Sequence, residues 1–402
     1  MRYTIIGNGM AGITAAQTIR RIDPDASITI ATDERTPFYS RPGLMYHMMG
    51  TLNGWDLRIA RDNFYESLKA DLIYDTASRI HPDENVVEFS SGKILPFDRL
   101  LIATGSKSRA IDIPGHDLMG IHYMYSLTDC KRIISETRKG MKAVVIGGGL
   151  LGAELAEVWR HAGLDVVFLV LEPWYFPKGL SEPQGRIVEA EVRRHGCDLH
   201  MSEEAVEFRG EGRVSRIVTK SGREFDAGIV GVTIGVVPNI DIAKASDIQV
   251  GRGIVVDRTL CSSRNDVFAA GDCAEISPSA GDRTFIEQLW YSAERQAQVA
   301  ARNMCGDSRP YDSGVFYNTA KFFNIDYVSV GAGRRPDDGQ GEETIVARNG
   351  RAARRFVFRG AVVNGVTSIG HGDDPGVILD IVRGNTSLRE AKARLGGSRW
   401  PW

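Results

Sequence analysis

The sequence has few of the features that mark secreted, membrane-spanning or nucleic-acid-binding proteins. Its five cysteines are an odd number, lie far apart and form no C-x-x-C pair, so neither a zinc site nor a thioredoxin-type dithiol is expected. The net charge of −2 argues against nucleic acid or an anionic membrane as the main partner. No apolar run approaches the roughly 20 residues of a spanning helix. No basic region with an apolar core precedes the first strand, so we expect a cytoplasmic protein.

Metal-binding patterns are missing as well. The chain has 8 histidines, and none is grouped with other ligands, so no protein-bound metal is expected. What remains is the composition of an ordinary globular protein, 43% hydrophobic and 25% charged. A length of 402 residues predicts two or three domains.

The chain opens with a pattern typical of dinucleotide binding. A strand, a glycine-rich turn, a helix, a second strand and an acid follow one another at residues 2–6, 7–12, 12–21, 27–31 and 33–34. In such a fingerprint Gly7 permits the tight turn, Gly9 lets the backbone approach a pyrophosphate, and Gly12 lets helix and strand pack closely. The pyrophosphate would lie at the helix N-terminus, and Glu34 or Asp33 would accept hydrogen bonds from the ribose.

The same pattern returns about 140 residues later. Its strand, turn, helix and second strand are predicted at residues 142–146, 147–152, 153–161 and 165–171. Glu172 follows Gly152 by 20 residues, the spacing of a ribose-binding acid. A carboxylate accepts from the 2′-hydroxyl of NADH and repels the 2′-phosphate of NADPH, so NADH is favoured over NADPH. Two fingerprints imply two dinucleotides.

Three further segments are predicted to be apolar strands, each followed by small or acidic residues. They are residues 99–105, 225–235 and 266–272. Asp272 falls at the carboxyl end of its strand, where parallel sheets place ligand contacts. In the loop around Arg41, the guanidinium either faces a dinucleotide as a hydrogen-bond donor or is a solvated charge.

From residue 311 the pattern changes to short strands, with hairpin turns predicted at residues 348–350 and 363–365 and a helix at residues 386–395. The last residues include Trp400 and Trp402. This tail is either disordered or an anchor for a partner or a neighbouring subunit.

With these motifs the sequence resembles the two-dinucleotide flavoproteins of the pyridine nucleotide-disulfide oxidoreductase superfamily, most clearly over residues 1–310. The resemblance implies an α/β fold with two Rossmann-like dinucleotide-binding domains, one inserted in the other, and a small α+β C-terminal domain. The FAD-binding domain would comprise residues 1–115 and 236–310. The NAD(H)-binding domain would comprise residues 116–235, and residues 311–402 would form an interface-type domain, with a homodimer possible in principle.

The resemblance also assigns roles to individual residues. Those expected to bind the cofactors FAD and NADH are Gly7, Gly9, Met10, Ala11, Gly12, Asp33, Glu34, Arg41, Pro42, Thr104, Gly105, Gly147, Gly149, Leu150, Leu151, Gly152, Glu172, Gly235, Gly271, Asp272 and Gln296. Two residues are candidates for direct participation in catalysis. Glu154, expected in the first turn of its helix, matches the acid near the nicotinamide, and Trp290 matches a position beside the flavin.

Where the motifs of this chain depart from those of the superfamily, they indicate which branch it resembles. The disulfide reductases carry C-x-x-x-x-C, and the single-cysteine oxidases and peroxidases carry Cys-Gly-Leu in the loop where this chain has Pro42-Gly43-Leu44. A thiol relay is therefore not expected. The Tyr39–Leu44 loop is similar to that of rubredoxin reductases and oxygenase-coupled ferredoxin reductases. Tyr46 stands where the ferredoxin reductases have a lysine, which puts their Lys–Glu pair in doubt.

The resemblance implies an enzyme that takes a hydride from NADH onto FAD and passes electrons to a small carrier protein of the rubredoxin or ferredoxin type. One alternative is an NADH oxidase, or a quinone or small-molecule reductase, without redox cysteines. Another is a regulatory flavoprotein similar to the apoptosis-inducing factors. The sequence leaves open the electron acceptor, the pathway and the choice between monomer and dimer.

Overall fold

Parallel sheets form at both places where the sequence carries its fingerprint. The computed structural model describes residues 1–60, 62–277, 284–332, 341–347 and 349–396. Trp400 and Trp402 lie outside these residues. Up to residue 108 the elements are β1 (Arg2–Ile6), α1 (Met10–Ile22), β2 (Ser27–Thr32), a 3₁₀ turn (Arg41–Gly43), α2 (Leu44–Met48), α3 (Phe64–Ser67), β3 (Ala70–Tyr74), β4 (Ala77–His81), β5 (Val86–Phe89), β6 (Ile94–Pro96), β7 (Arg99–Ile102) and β8 (Ser106–Ser108).

The second fingerprint opens the middle part of the chain. Its elements are β9 (Ile121–Tyr123), α4 (Leu127–Glu136), β10 (Lys142–Ile146), α5 (Leu150–His161), β11 (Asp165–Val170), α6 (Glu182–Arg194), β12 (Asp198–Met201), β13 (Ala205–Glu211), β14 (Arg213–Thr219), β15 (Glu224–Asp226), β16 (Ile229–Val232) and β17 (Val236–Pro238). The rest of the chain forms α7 (Asp241–Ala245), β18 (Ile254–Val256), β19 (Val267–Ala269), β20 (Ala274–Ile276), α8 (Trp290–Met304), β21 (Tyr317–Phe322), β22 (Ile325–Gly331), β23 (Gly341–Val346), β24 (Ala353–Arg359), β25 (Val362–Ile369), α9 (Pro375–Arg383) and α10 (Leu388–Gly396).

Contacts within the chain group it into two units. The first contains Met1–Gly43, Leu52–Lys107 and Val236–Ser313. The second contains Leu44–Thr51, Ser108–Gly235 and the chain from Gly314 onward. The three-domain division with its cofactor assignments stays a prediction.

The first unit is built on a five-stranded sheet in the order β19-β7-β1-β2-β3, with every pairing parallel. Its central strands are apolar throughout because both faces of a parallel sheet are covered; Ile5, Ile30 and Leu101 are completely buried. Helix α1 packs against α8, whose buried alanines, Ala297 among them, allow a close approach. The paired ends of β1, β2 and β7 thus bring their following loops to one edge.

The second unit contains a matching parallel sheet in the order β12-β11-β10-β16-β9. It also contains an antiparallel sheet, β21-β22-β25-β24-β23, here named the C-terminal sheet. Helices α9 and α10 cover one face of that sheet, and Val330, Phe356 and Ile378 are buried there. The α/β class with two Rossmann-like sheets and a small α+β C-terminal part is confirmed.

Two local predictions differ from the structure. Helix α5 begins at Leu150, three residues earlier than expected, so Glu154 lies beyond the first turn. The hairpin turn predicted at residues 363–365 is wrong, because β25 runs through it and the turn falls at Gly360 instead (φ +60°). As a residue of a central strand, Gly365 pairs with both Val357 and Gly331, and pairing on two sides overrides the local Asn-Gly turn preference.

Candidate functional site

The glycines of the first fingerprint fall into two groups by what surrounds them. A Cβ on Gly7, whose φ is +120°, would overlap the carbonyl group of Ala103, and one on Gly12 would overlap the carbonyl oxygen of Gly7. A Cβ on Gly9 would have nothing within 4 Å. Two glycines are therefore required by the chain itself, whereas the space beside Gly9 is open.

The second fingerprint repeats this division. A Cβ on Gly147 (φ +117°) would lie 2.5 Å from the carbonyl oxygen of Thr233, and one on Gly152 would overlap the carbonyl oxygen of Gly147. Gly149 again has nothing within 4 Å. Gly9 and Gly149 are the N-caps of α1 and α5, and neither helix has an acid in its first turn. Each open space thus adjoins unpaired helical N–H groups, the environment that a pyrophosphate requires. Both sites fit a dinucleotide.

The acid of the first fingerprint is already engaged. Glu34 accepts hydrogen bonds from the Tyr39 hydroxyl (2.7 Å) and from the Arg41 guanidinium (2.5 Å). Arg41 also donates to the Tyr39 hydroxyl (2.9 Å) and lies 5.2 Å from the centre of its ring. Arg41 is thus held in place by its own loop, and Pro42 follows it in the 3₁₀ turn. Asp33 is exposed. Direct contact of these residues with FAD stays a prediction.

The ends of two strands come together in the first unit, after β7 and after β19. The Ser106 hydroxyl donates to Asp272 (2.9 Å), and the Gln288 amide donates to the Ser106 hydroxyl (3.0 Å). The amide N–H of Gly271 donates to the buried Gln296 side chain (2.7 Å). Burial raises the pKa of Asp272 above its usual range.

Thr104 and Gly105 lie between β7 and β8. The Thr104 hydroxyl donates to the carbonyl oxygen of Asn239 (2.6 Å), and Gly105 has φ +68°. Gly235 is the corresponding residue after β16, with φ +104° and open space where a Cβ would stand.

Trp290 and Met10 come together in an apolar hollow of the first unit. Trp290 begins α8 and stacks on Phe38, with ring centres 5.9 Å apart and planes 14° from parallel. The hollow is lined by Met10, Ile13, Thr14, Gln17, Phe38, Ile59, Phe64 and Trp290. A role for Trp290 beside a flavin stays a prediction.

In the second unit, Glu172 follows β11 and its side chain is partly buried. Within the described ranges, no side chain donates a hydrogen bond to its carboxylate, which leaves that group open to a ribose. Nearby, the buried Tyr175 hydroxyl donates to the carbonyl oxygen of Gly149 (2.9 Å). Leu150 and Leu151 form the start of α5.

Glu154 lies on α5 in a poorly solvated position. Burial and the charge of Glu157 raise its pKa to about 7. Over the part of the chain that the structure describes, no cation acts on it, and Tyr46 on α2 is 40% exposed.

The cysteines are free thiols, and three of them, Cys130, Cys197 and Cys273, are buried. Burial raises the pKa of Cys197 to about 12 and that of Cys261 to about 11. The described residues contain no group of His, Cys, Asp or Glu side chains placed to hold a metal ion. Of the helices described, none is long and apolar enough to cross a membrane.

Sequence reasoning missed Ser106, Gln288 and Tyr175. Ser106 is bonded to residues 166 and 182 positions away, so no local pattern could have identified its role. Tyr175 did carry a signal, since it lies three residues after the predicted ribose acid.

Comparisons with known proteins agree with this geometry. Residues 1–301 match the family described as pyridine nucleotide-disulphide oxidoreductase. Nitrite reductase [NAD(P)H] of Bacillus subtilis is 28% identical over 97% of this chain, which spans 48% of that protein's length. The biphenyl dioxygenase system ferredoxin–NAD(+) reductase component of Paraburkholderia xenovorans is 31% identical over 76% of this chain and 75% of its own length.

A solved structure is similar over nearly the whole chain. The ferredoxin reductase for the CYP199A2 system from Rhodopseudomonas palustris aligns with a TM-score of 0.87 at 25% identity, covering 96% of this chain and 95% of its own. The fold, the paired fingerprints and the family match over three quarters of the sequence lead to one conclusion. This chain belongs to the pyridine nucleotide-disulphide oxidoreductase family.

Proposed function

We propose that this chain is an FAD-dependent NADH reductase that passes electrons to a small redox protein of the rubredoxin or ferredoxin type. The observation that carries the proposal is the pair of fingerprints, each with a middle glycine that faces open space. FAD and NAD(H) are the cofactors of this family, and two such spaces accommodate both.

The first fingerprint, with Glu34, Arg41 and Asp272, would hold FAD. The second, with Glu172, would hold NADH. Bound FAD supplies the conversion of a hydride into single electrons, chemistry that belongs to the cofactor. The chain's own groups bind and orient: helical N–H groups face the phosphates, and carboxylates accept from ribose hydroxyls.

The state of the thiols supports an outlet other than a disulfide. A cysteine that relays electrons must become a thiolate, which requires a low pKa. In this chain burial raises the pKa of Cys197, Cys261, Cys273 and Cys305. A separate electron carrier is the outlet that relatives named as ferredoxin reductases suggest.

A second candidate differs only in the acceptor. The alignment with the Bacillus subtilis nitrite reductase covers 97% of this chain, including the C-terminal sheet, against 76% for the Paraburkholderia ferredoxin reductase component. Electron delivery into a larger reductase, in place of a free carrier, is therefore the second candidate.

The test is NADH oxidation by the flavin-loaded protein, in air and without oxygen, with ferredoxin or rubredoxin present or absent and cytochrome c as the final reporter. Rapid turnover that requires the carrier supports the proposal. Equal rates without a carrier, at the expense of oxygen or quinone, contradict it and support an oxidase or small-molecule reductase. Turnover only with artificial one-electron dyes would favour the second candidate, and a protein that binds no flavin would refute both.

A further inference from the structure

Tyr175 connects the second fingerprint to the segment that follows Glu172. Its side chain is completely buried, and its hydroxyl donates to the Gly149 carbonyl oxygen at 2.9 Å. The same oxygen accepts the amide N–H of Ala153 at 3.2 Å, the first hydrogen bond of α5. The Gly149 carbonyl is therefore fixed by two donors from different parts of the chain.

Fixing this carbonyl also fixes an N–H group. The carbonyl of Gly149 and the N–H of Leu150 belong to one planar trans peptide, in which the two groups point in opposite directions. The carbonyl points into α5, so the Leu150 N–H points out of the helix N-terminus, where it has no partner within the helix. The Tyr175 hydroxyl thus orients one of the donors available to a pyrophosphate.

The first fingerprint lacks this support. The carbonyl oxygen of Gly9 accepts the amide N–H of Ile13 at 3.0 Å. Across the described residues, no side chain donates to the Gly9 carbonyl. The contact made by Tyr175 is thus particular to the second fingerprint and is not a general requirement of the glycine-rich turn.

Tyr175 is itself held by an aromatic cluster, which we define as Phe168, Tyr175, Phe176, Phe322 and Tyr327. Tyr175 makes edge-on contacts with Phe168 (5.9 Å between ring centres) and Phe322 (5.5 Å). Phe322 in turn contacts Tyr327 at 5.5 Å. Phe322 ends β21 and Tyr327 lies on β22, so the C-terminal sheet supplies part of the packing around Tyr175.

The backbone after Tyr175 is strained and held by the same sheet. Phe176 has φ +54°, a left-handed conformation that costs a residue with a side chain about 1–2 kcal/mol. Its ring packs against Phe322 (5.9 Å) and Tyr327 (6.2 Å). Further along, the buried Arg355 of β24 donates to the carbonyl oxygen of Gly179 (3.4 Å). Contacts from the C-terminal sheet therefore stabilise a conformation that the segment would not adopt alone.

We infer that Tyr175 is a positioning residue for NADH, which orients the Leu150 N–H toward the pyrophosphate, and that the C-terminal sheet holds Tyr175 in place through Phe322. This inference rests on the proposed function, because it takes the second fingerprint to be the NADH site. It gives the C-terminal sheet a part in nucleotide binding within its own unit.

The test is Tyr175→Phe, which removes one hydroxyl and leaves the packing intact. We expect the Kd for NAD+, measured by calorimetric titration of the flavin-loaded protein, to rise about fivefold, the equivalent of one neutral hydrogen bond. The KM for NADH should rise by the same factor with kcat unchanged. The matched control is Tyr123→Phe, since the Tyr123 hydroxyl accepts a backbone N–H in the same unit (3.1 Å) away from the fingerprint. The control should leave the Kd unchanged.

A second pair of variants tests the C-terminal sheet. Phe322→Leu should raise the Kd for NAD+ about threefold, and in the double variant with Tyr175→Phe the effects should be less than additive. Phe356→Leu is the control, because Phe356 is equally buried but packs on the side of the sheet covered by α9 and α10.

The outcomes separate the inference from the proposed function. A wild-type protein that does not bind NAD+ refutes the proposed function. A wild-type protein that binds NAD+, together with a Tyr175→Phe variant of equal affinity, refutes the role of Tyr175. An effect of Tyr175→Phe without any effect of Phe322→Leu refutes the contribution of the C-terminal sheet.

Discussion

At the scale of single residues, Gly9 and Gly149 stand apart from the other fingerprint glycines. Both have φ −95°, a value that any amino acid adopts, and a side chain would meet no atom of the chain. Neither backbone strain nor packing explains why they are glycine. The cofactor proposed for each adjoining space would explain it.

This leads to a prediction for Gly149→Ala. The variant should keep wild-type thermal stability, since the added methyl group has room, but it should lose at least about tenfold in affinity for NAD+ because the methyl group occupies space beside the pyrophosphate. Melting temperature and calorimetric titration measure the two effects. Gly152→Ala is the control: its methyl group would overlap the Gly147 carbonyl, so stability itself should fall.

Glu154 supports a prediction about pH. Burial raises its pKa to about 7 from a usual 4.5, so the folded state favours the protonated form. Its contribution to stability is complete below pH 4.5 and is lost as pH rises through 7. Glu154→Gln should therefore be more stable than wild type by about 3 kcal/mol at pH 8.5 and similar to it near pH 4.5.

Denaturant unfolding at several pH values measures this difference. The control is Glu84→Gln, at an exposed position. A Glu154→Gln variant whose stability relative to wild type did not change with pH would show that the Glu154 carboxyl titrates alike in the folded and unfolded chains.

The residues also show how far sequence reasoning reaches. The fingerprint glycines and Glu172 could be placed because a local pattern fixes them. The hydrogen bonds from Tyr39 and Arg41 to Glu34 could not be predicted, since a loop whose conformation the sequence does not reveal brings these groups together.

At the scale of elements, the strands of both parallel sheets were predictable because continuous apolar runs bounded by glycine are typical of them. The residues at which the helices begin were harder to predict. The fingerprint helices α1 and α5 include Gly12 and Gly152, poor helix formers that are kept because only glycine fits against the preceding turn. The course of β25 depended on partners on both sides, which no local signal contains.

The C-terminal sheet offers a test of a buried ion pair. Arg354 on β24 donates twice to Asp373 (2.7 and 2.6 Å), and the Ser368 hydroxyl donates to the same carboxylate (2.6 Å). The Arg354 and Asp373 side chains are only 5% and 3% exposed. Removing the charge of Asp373 breaks a buried ion pair from one side, and a buried guanidinium that loses such a partner destabilises the folded state.

We therefore expect Asp373→Asn to reduce the free energy of unfolding by about 3 kcal/mol. Asp98→Asn is the control, since Asp98 pairs with Arg2 at the surface and should cost less than about 1 kcal/mol. Equal losses for the two variants in urea unfolding would contradict the importance of burial.

At the scale of the whole molecule, the state of the thiols leads us to expect that the protein's activity resists alkylating reagents. None of the five cysteines is in a disulfide, and burial raises the pKa of four of them. Treatment of the native protein with N-ethylmaleimide should change the proposed NADH-oxidising activity by less than about twofold. Mass spectrometry of the native and denatured protein counts the modified thiols. If activity were lost in proportion to the modification of one cysteine, that cysteine would be identified as part of a thiol relay.

The order in which the chain supplies its two units has a consequence for biosynthesis. The chain passes from one unit to the other after residues 43, 51, 107, 235 and 313. Strand β19, an edge strand of the first sheet, ends at residue 269. The ribosome has therefore made most of the protein before that sheet can be completed. Domains made of one continuous segment fold in turn as they emerge. Here β7 can pair with β1 early but lacks its second partner until β19 has been made, so we expect the nascent chain to expose apolar surface that chaperones bind.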